Sequence, residues 1–296
     1  IQVSPIYGSL LPRIWLALRH AFADSSVSGK CSGQQEYRRE PLVRGISLIY
    51  GLYLLLPIAL LMVGSVGGNW TNTLLPTGTT GQWYLDLWQD TSFRKAFVSS
   101  LVVAMAACAI NTVLALPLAY ALYHGARRGG GLAARIVSAM PVAVPAITLA
   151  FGYMVVFNTD LAPWLGSMPL LIAAHAILTL PYLSNTLLTD LRHLDLGRLE
   201  QAAATLGASR WQQFTGIVLP SLRQSLISGL VMVAAISVGE FGVSNLLTSF
   251  QNRTYPVVLL QAFYGATGFA CAATVILLVL AGASALLSSS LVKQRP

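Results

Sequence analysis

Residues Glu200 to Pro220 read E-Q-A-A-A-T-L-G-A-S-R-W-Q-Q-F-T-G-I-V-L-P and form a polar island between two long apolar segments. Ala202, Ala203, Ala204 and Leu206 favour helix. Gly207 can take the left-handed conformation that ends one, and Ser209 with Gln212 three residues on forms a capping box that starts another. The expected local structure is helix, sharp turn, short helix. Ile217, Val218 and Leu219 close the stretch with an apolar run, and Pro220 is expected to break the helical pattern ahead of the next apolar segment.

The sequence on either side belongs in a bilayer. Of the 296 residues, 55% are hydrophobic and 9% charged, against ~25% charged in a typical soluble domain. Six apolar spans can be marked, at about 46–67, 97–122, 136–157, 168–189, 224–247 and 266–290, each above the ~20 residues that cross a membrane as helix. Pro117 lies in the second span, Pro141 and Pro145 in the third, and Pro181 in the fourth. Such prolines kink a membrane helix and free a carbonyl that a neighbour must satisfy. The expected fold class is all-α, a polytopic membrane protein of six transmembrane helices.

A formal net charge of +8 suggests nucleic acid only until the basic residues are placed on these spans. With the amino terminus inside, the cytoplasmic segments hold Arg13, Arg19, Lys30, Arg38, Arg39 and Arg44, then Arg127, Arg128 and Arg135, then Arg192, Arg198, Arg210 and Arg223, and finally Lys293 and Arg295. Only Arg94, Lys95 and Arg253 fall outside. The positive-inside rule then puts both termini and the Glu200–Pro220 loop in the cytoplasm, with membrane lipid as the main surrounding and no nucleic acid partner. Trp70, Trp83, Trp88 and Trp164, with Tyr84, Tyr255 and Tyr264, lie in external loops near span ends. Aromatics at that level anchor helices at the interface or dock a partner. The external loop from Gly68 to Ala96, with Asp86, Asp90, Arg94 and Lys95, is the longest and the first candidate for such docking.

Residues 1–43 read as a cytoplasmic extension ahead of a membrane domain at 44–296. Leu10, Leu11, Ile14, Trp15, Leu18 and Phe22 recur at helical spacing with Arg13, Arg19 and His20 between them. That pattern suggests a basic amphipathic helix on the membrane surface, the alternative being a cloning remnant or the tail of a preceding fused half. Ser25 to Glu40 reads as a linker. The chain opens on Ile1, so further residues upstream are expected, and the first positions lack the compact apolar run of a secretion signal. Gly29-Lys30 is not a phosphate loop, because Asp24 stands where the first Gly belongs and Cys31 where Ser or Thr belongs. Cys31, Cys108 and Cys271 are odd in number, and the last two lie in apolar runs, so neither a disulfide framework nor a metal site is expected.

Three polar side chains within the spans are candidates for a translocation path: Glu240, His175 and Asn111. A carboxylate at membrane depth must be wet, paired or protonated, so Glu240, inside Gly239-Glu240-Phe241-Gly242, faces the bundle interior or a cavity. Two readings stay open for it, a lining of the path or its outer gate, and a cap on backbone amides at an unwound Gly-rich turn. A lone membrane histidine or asparagine is more often an interhelical hydrogen-bond partner than a ligand. His175 and Glu240 both sit near the outer ends of their spans and can share a level if their helices are neighbours. No catalytic constellation is present, so the chain is not expected to be an enzyme or to power transport alone. An ion-gradient transporter with Glu240 as proton carrier is the rival reading, and a non-transporting membrane scaffold is a second.

The Glu200–Pro220 stretch resembles the cytoplasmic EAA loop of permease subunits in ABC importers, on Ala202, Ala203, Leu206, Gly207, Leu219 and Pro220. Gln201 stands where the family usually has Glu, with Glu200 one residue earlier and so about 100° round the helix. The six-span layout, the Pro141/Pro145 third span and the Gly-Glu-Phe-Gly of the fifth extend the likeness over residues 44 to 296, most like the iron(III), thiamine, aminoethylphosphonate and polyamine permeases, with those for sulfate and molybdate as near cousins. The resemblance implies a type I importer-like permease fold in the inner membrane. It also implies a coupling loop at 190–223 in which Glu200, Gln201, Ala202, Ala203, Leu206, Gly207, Ser209, Leu219 and Pro220 meet a cytoplasmic ATPase dimer. The further partners it implies are a second permease unit and an extracytoplasmic solute-binding protein. ATP and magnesium would be bound by the ATPase, and this chain would need no cofactor.

Overall fold

In hydrocarbon every backbone amide and carbonyl must be satisfied within the chain, and long runs of Leu, Ala, Val and Ile do so as helix. The computed structural model describes residues 33–70, 76–127, 136, 143–160, 162–194 and 196–292. Their helices are α1 (Gly33–Val66), α2 (Gln82–Gln89), α3 (Thr91–Arg127), α4 (Ala146–Phe157), α5 (Met168–His193), α6 (Leu196–Thr205), α7 (Arg210–Gln213), α8 (Leu219–Gly239), α9 (Gly242–Leu247), α10 (Tyr255–Phe263) and α11 (Thr267–Val292). Five apolar stretches are long enough to cross a membrane: Gly45–Val66, Thr91–Gly125, Met168–His193, Arg210–Gly239 and Thr267–Leu286. The continuous described helix of the third expected span is Ala146–Phe157, with Pro145 as its N-cap. Twelve residues at 1.5 Å each reach about 18 Å, short of the ~30 Å hydrocarbon core. Pro141 and the expected amphipathic helix from Leu10 to Phe22 lie outside the described residues.

The chain divides into two compact units, Ile1–Ile58 and Ala59–Pro296. In the first, the described part is the start of α1, where Leu48, Ile49, Leu52 and Tyr53 are exposed apolar side chains of the kind a lipid-facing helix carries. The second unit is built on α3, α5 and α8, which pack on one another, with α11 against α8, α10 and α2, and α4 against α9. Lipid tails are as apolar as leucine, so such helices associate through close packing and interhelical hydrogen bonds. On α3 the inward stripe is Ala104, Ala107, Asn111, Ala115 and Ala119, all buried and nearly all small, which lets α5 approach closely. Gly229 of α8 serves the same end against α5, because a β-carbon there would lie 2.5 Å from Leu183 Cδ1.

Two of the three apolar clusters among the described residues lie along α3 and α5, the third being Leu87, Phe93, Ala96, Tyr255, Val258 and Ala273. Ala115, Ala119, Leu122, Leu183, Leu187, Leu191, Leu196 and Leu222 form one, and Val103, Ala150, Leu170, Leu171, Val243 and Leu247 the other. Residue numbers rise together on α3 and α5 from the second cluster to the first, so these helices run in the same direction. Among the described residues the strands form two short antiparallel pairs, β1 (Gly67–Asn69) with β2 (Thr77–Thr79), and β3 (Asn158–Thr159) with β4 (Ala162–Pro163), and an isolated bridge joins Gly166 to Thr248. Trp83 Nε1 donates to the Gly67 carbonyl at 2.7 Å and Tyr84 Oη to Ser65 Oγ at 2.9 Å, which tie α2 to the end of α1 and the first hairpin.

Three expectations are corrected. The stretch read as a linker from Ser25 to Glu40 is helical from Gly33 on, as the start of α1. The helix does not stop at Pro220. From Arg210 the chain stays helical to Gly239 through a π-turn at Phe214–Val218. The Leu219 amide reaches the Phe214 carbonyl five residues back, and Pro220 follows in the first turn of α8, where its missing amide costs little. The fifth span is also not one helix over 224–247. It breaks at Glu240, which is extended (φ −72°, ψ 121°), and resumes as α9.

Candidate functional site

At one end of the bundle α6, the turn after it and α7 form the loop that the sequence marks out. Gly207 has φ +82°, and it closes a two-bond helix stop: the Ala208 amide donates to the Ala203 carbonyl and the Gly207 amide to the Ala204 carbonyl, each at 3.0 Å. Ser209 then opens α7 with both halves of the capping box. Its hydroxyl accepts from the Gln212 amide at 3.3 Å while Gln212 Oε1 accepts from the Ser209 amide at 2.8 Å. Gln213, buried, donates to the Ala208 carbonyl at 2.8 Å and holds the second helix against the turn.

The inner and outer faces of this loop differ sharply. Leu196 and Val218 are fully buried in the apolar cluster that contains Ala115 and Leu187, and Glu200 is turned into the bundle. Tyr120 Oη donates to Glu200 Oε1 at 2.7 Å, His124 Nε2 lies 3.3 Å from Glu200 Oε2, and Tyr123 Oη accepts from the Gly197 amide at 3.1 Å. The last turns of α3 thus clamp the start of α6. Gln201, Ala202, Ala204, Gly207, Ser209, Leu219 and Pro220 face outward, with Ala203 half-buried. Leu206 is 88% exposed and Trp211 72% exposed, an apolar pair on the rim of a short rigid turn.

The three intramembrane candidates converge, at a level between the two apolar clusters. Asn111 Nδ2 of α3 donates to Thr179 Oγ1 of α5 at 2.7 Å, and Thr179 Oγ1 donates to the His175 carbonyl at 2.7 Å. His175 Nδ1 lies 2.8 Å from Ser237 Oγ of α8 and Nε2 lies 3.0 Å from Ser244 Oγ of α9, so each ring nitrogen has a hydroxyl in hydrogen-bond range. Glu240 Oε2 is 3.9 Å from His175 Nε2. Its carboxylate accepts from the Val243 amide at 2.9 and 3.1 Å and from the Ser244 amide at 3.0 Å, capping the start of α9. All three side chains are buried within the subunit, and Asn111 Oδ1 is left without a hydrogen-bond partner. Sequence reasoning missed Ser237, Ser244, Thr179, Tyr120 and His124. Tyr120 and His124, four apart on one helix face, carried a faint signal; the two serines flanking Glu240 carried another.

In the Gly68–Ala96 loop, Asp90 uses its carboxylate at the start of α3, accepting from the Ser92 amide at 2.7 Å and the Phe93 amide at 3.1 Å. Asp86 accepts from Gln82 Nε2 at 3.1 Å. Trp88 and Trp164 remain exposed, at 76% and 56%.

A multi-pass helical bundle, broken at a capped glutamate and carrying an exposed helix-turn-helix on one end, is the architecture of a membrane permease. The chain belongs to the family of binding-protein-dependent transport system inner membrane components, whose family pattern matches residues 112–295. It is a permease subunit of the ABC importer class. A protein of Salmonella paratyphi A named as a 2-aminoethylphosphonate transport system permease is 24% identical over 214 residues, 72% of this chain and 79% of its own. The sulfate transport system permease protein CysW of Synechococcus elongatus is 26% identical over 236 residues, 74% of this chain and 77% of its own. In structure, a chain of a bacterial alginate ABC transporter, solved with a pentasaccharide-bound periplasmic protein, aligns with a TM-score of 0.65 over 86% of this chain and 94% of that one, at 18% identity, and so shares the fold.

Proposed function

We propose that this chain forms one half of a solute path through the inner membrane and takes its power from a cytoplasmic ATPase dimer seated on the 196–220 loop. The observation that carries this reading is the outward face of that loop. Leu206 and Trp211 are apolar and exposed on a turn whose inner face is fully engaged, and exposed apolar groups on a rigid support mark contact sites. Ala202 and Ala204 beside them are small enough for a partner to approach the helix closely.

In this reading ATP and its magnesium are bound by the ATPase, both termini and the loop face the cytoplasm, and a second permease unit completes the path. A solute-binding protein docks at the opposite end, where Trp88 and Trp164 are exposed. Closure of the ATPases moves the loop, and the clamp of Glu200 by Tyr120 and His124 carries that motion into α3. Glu240, His175 and Asn111 act behind the wall of the path. They fix the break between α8 and α9, so that the segment following it can shift as a unit. The two amide bonds on Glu240 count against a proton carrier, which must release and rebind its proton. The test is affinity purification of the tagged chain from its native membrane. An ATPase subunit should copurify in stoichiometric amount and be lost from the Leu206→Asp/Trp211→Asp variant while the bundle still inserts. Solute uptake by membranes that lack any such ATPase would contradict the reading.

A further inference from the structure

The only three basic residues that the sequence places on the far side of the membrane come together. Arg94 and Lys95 lie in the first turn of α3, and Arg253 lies just before α10. All three sit at the end of the bundle away from the 196–220 loop, since α3 is about 55 Å long at 1.5 Å per residue and meets Glu200 near its other end. An open cleft of about 530 Å³ is lined there by Thr91, Ser92, Lys95, Phe250, Arg253 and Gln261. A second depression of about 410 Å³ is lined by Thr91, Arg94, Lys95, Val98, Ser99 and Gln251. The two share Thr91, Lys95 and Gln251. No carboxylate lines either one. The nearest in sequence, Asp90, is occupied with the Ser92 and Phe93 amides.

We propose that this cleft binds a small oxyanion, a sulfate-, phosphate- or phosphonate-like group, arriving at the outer end of the bundle. Lys and Arg are disfavoured on the translocated side, so three gathered round two adjoining depressions, Lys95 and Arg253 on the larger and Arg94 and Lys95 on the smaller, call for a local reason. No acid neutralises them. Among the described residues Arg94 and Lys95 have neither an ion pair nor a side-chain hydrogen bond, and Arg253 is oriented but not neutralised. Its guanidinium carbon sits 4.2 Å above the Phe250 ring and Nη1 donates to Gln261 Oε1 at 2.9 Å, which leaves other donors of the fork free to face a tetrahedral anion. The hydroxyls of Thr91 and Ser92 and the amides of Gln251 and Gln261 supply neutral donors, while a cation would meet uncompensated positive charge. The volume exceeds that of a bare oxyanion, so an organic substituent fits beside the exposed Phe250.

The inference rests on the proposed function only in treating the anion as an arriving solute. The binding itself requires neither the ATPase nor ATP. The test is calorimetric titration of the full chain in nonionic detergent with sodium sulfate and with methylphosphonate, against sodium chloride at matched ionic strength. The wild type should bind both oxyanions above chloride. Lys95→Gln and Arg253→Gln should each weaken binding at least fivefold, Arg253→Lys should lose less than Arg253→Gln, and elution of every variant should match the wild type. ATPase copurification should be unchanged in these variants, so a failed coupling reading and a failed anion site are told apart. Equal affinity in the Gln variants, no oxyanion binding above chloride, or heat only when anionic phospholipid replaces the soluble probes would overturn the proposal.

Discussion

Glu240 shows how a carboxylate is held at membrane depth by the backbone of its own turn. Two backbone amides hydrogen-bond it, and charge-assisted bonds of this kind offset much of the cost of removing a carboxylate from water. Glu240→Gln retains one acceptor oxygen for those amides, so assembly should persist with a loss of ~1 kcal/mol. Glu240→Leu leaves both amides of a buried turn unpaired, at ~1–3 kcal/mol each, and the subunit should be recovered poorly from membranes. Thermal unfolding in detergent and uptake in vesicles check the pair. Wild-type stability in the Leu variant would remove the cap from this account. Gly207 makes a different residue-scale prediction. A β-carbon there meets nothing within 4 Å, so the only penalty is the left-handed backbone at φ +82°. Gly207→Val should cost ~1–2 kcal/mol and lower stimulated ATP hydrolysis, whereas Gly207→Asn, which tolerates that backbone, should hydrolyse near wild-type rates.

At the scale of elements, what the sequence disclosed was chemistry that neighbours in the chain settle between themselves. Gly207 as a helix stop and Ser209 with Gln212 as a helix start were legible because the partners are three to five residues apart. The π-turn before Pro220 was not legible, since Gly216 and the β-branched Thr215, Ile217 and Val218 mark weak helix without distinguishing a widened turn from a helix end ahead of the proline. Hydropathy ran through Glu240 because one carboxylate scarcely lowers the average of an apolar run, although the two flanking glycines marked the place. That Glu200 points inward and Gln201 outward follows from the packing of α6 on α3, which no local pattern contains. The close approach of α8 to α5 gives the element-scale test. Gly229→Val places a methyl-bearing carbon against Leu183, and overpacking of this kind costs ~1–3 kcal/mol. It should separate α8 from α5, lower the melting temperature, and be partly relieved by Leu183→Ala. A double variant no more stable than Gly229→Val alone would show that the strain lies elsewhere.

Across the whole molecule, the count of charges predicts an orientation but not where the charges gather. Arg94, Lys95 and Arg253 are far apart in sequence and meet only because α10 packs on α3. In the same way His175, Ser237 and Ser244 meet only because α5, α8 and α9 are neighbours. Orientation has its own check. Cysteine introduced by Ser209→Cys should react with an impermeant maleimide only from the cytoplasmic side, and by Thr79→Cys only from outside; the reverse pattern would turn the bundle over. The claim on which the rest depends is that an ATPase sits on the exposed face of the 196–220 loop. Leu206→Cys, in a chain whose Cys31, Cys108 and Cys271 are replaced, puts a single thiol on the most exposed apolar side chain of that face. Treatment of native membranes with a short bismaleimide should give one adduct, of this chain with an ATPase subunit, whose yield changes when ATP is added. An adduct only with another copy of this chain, or one whose yield ignores both ATP and removal of the ATPase, would contradict it.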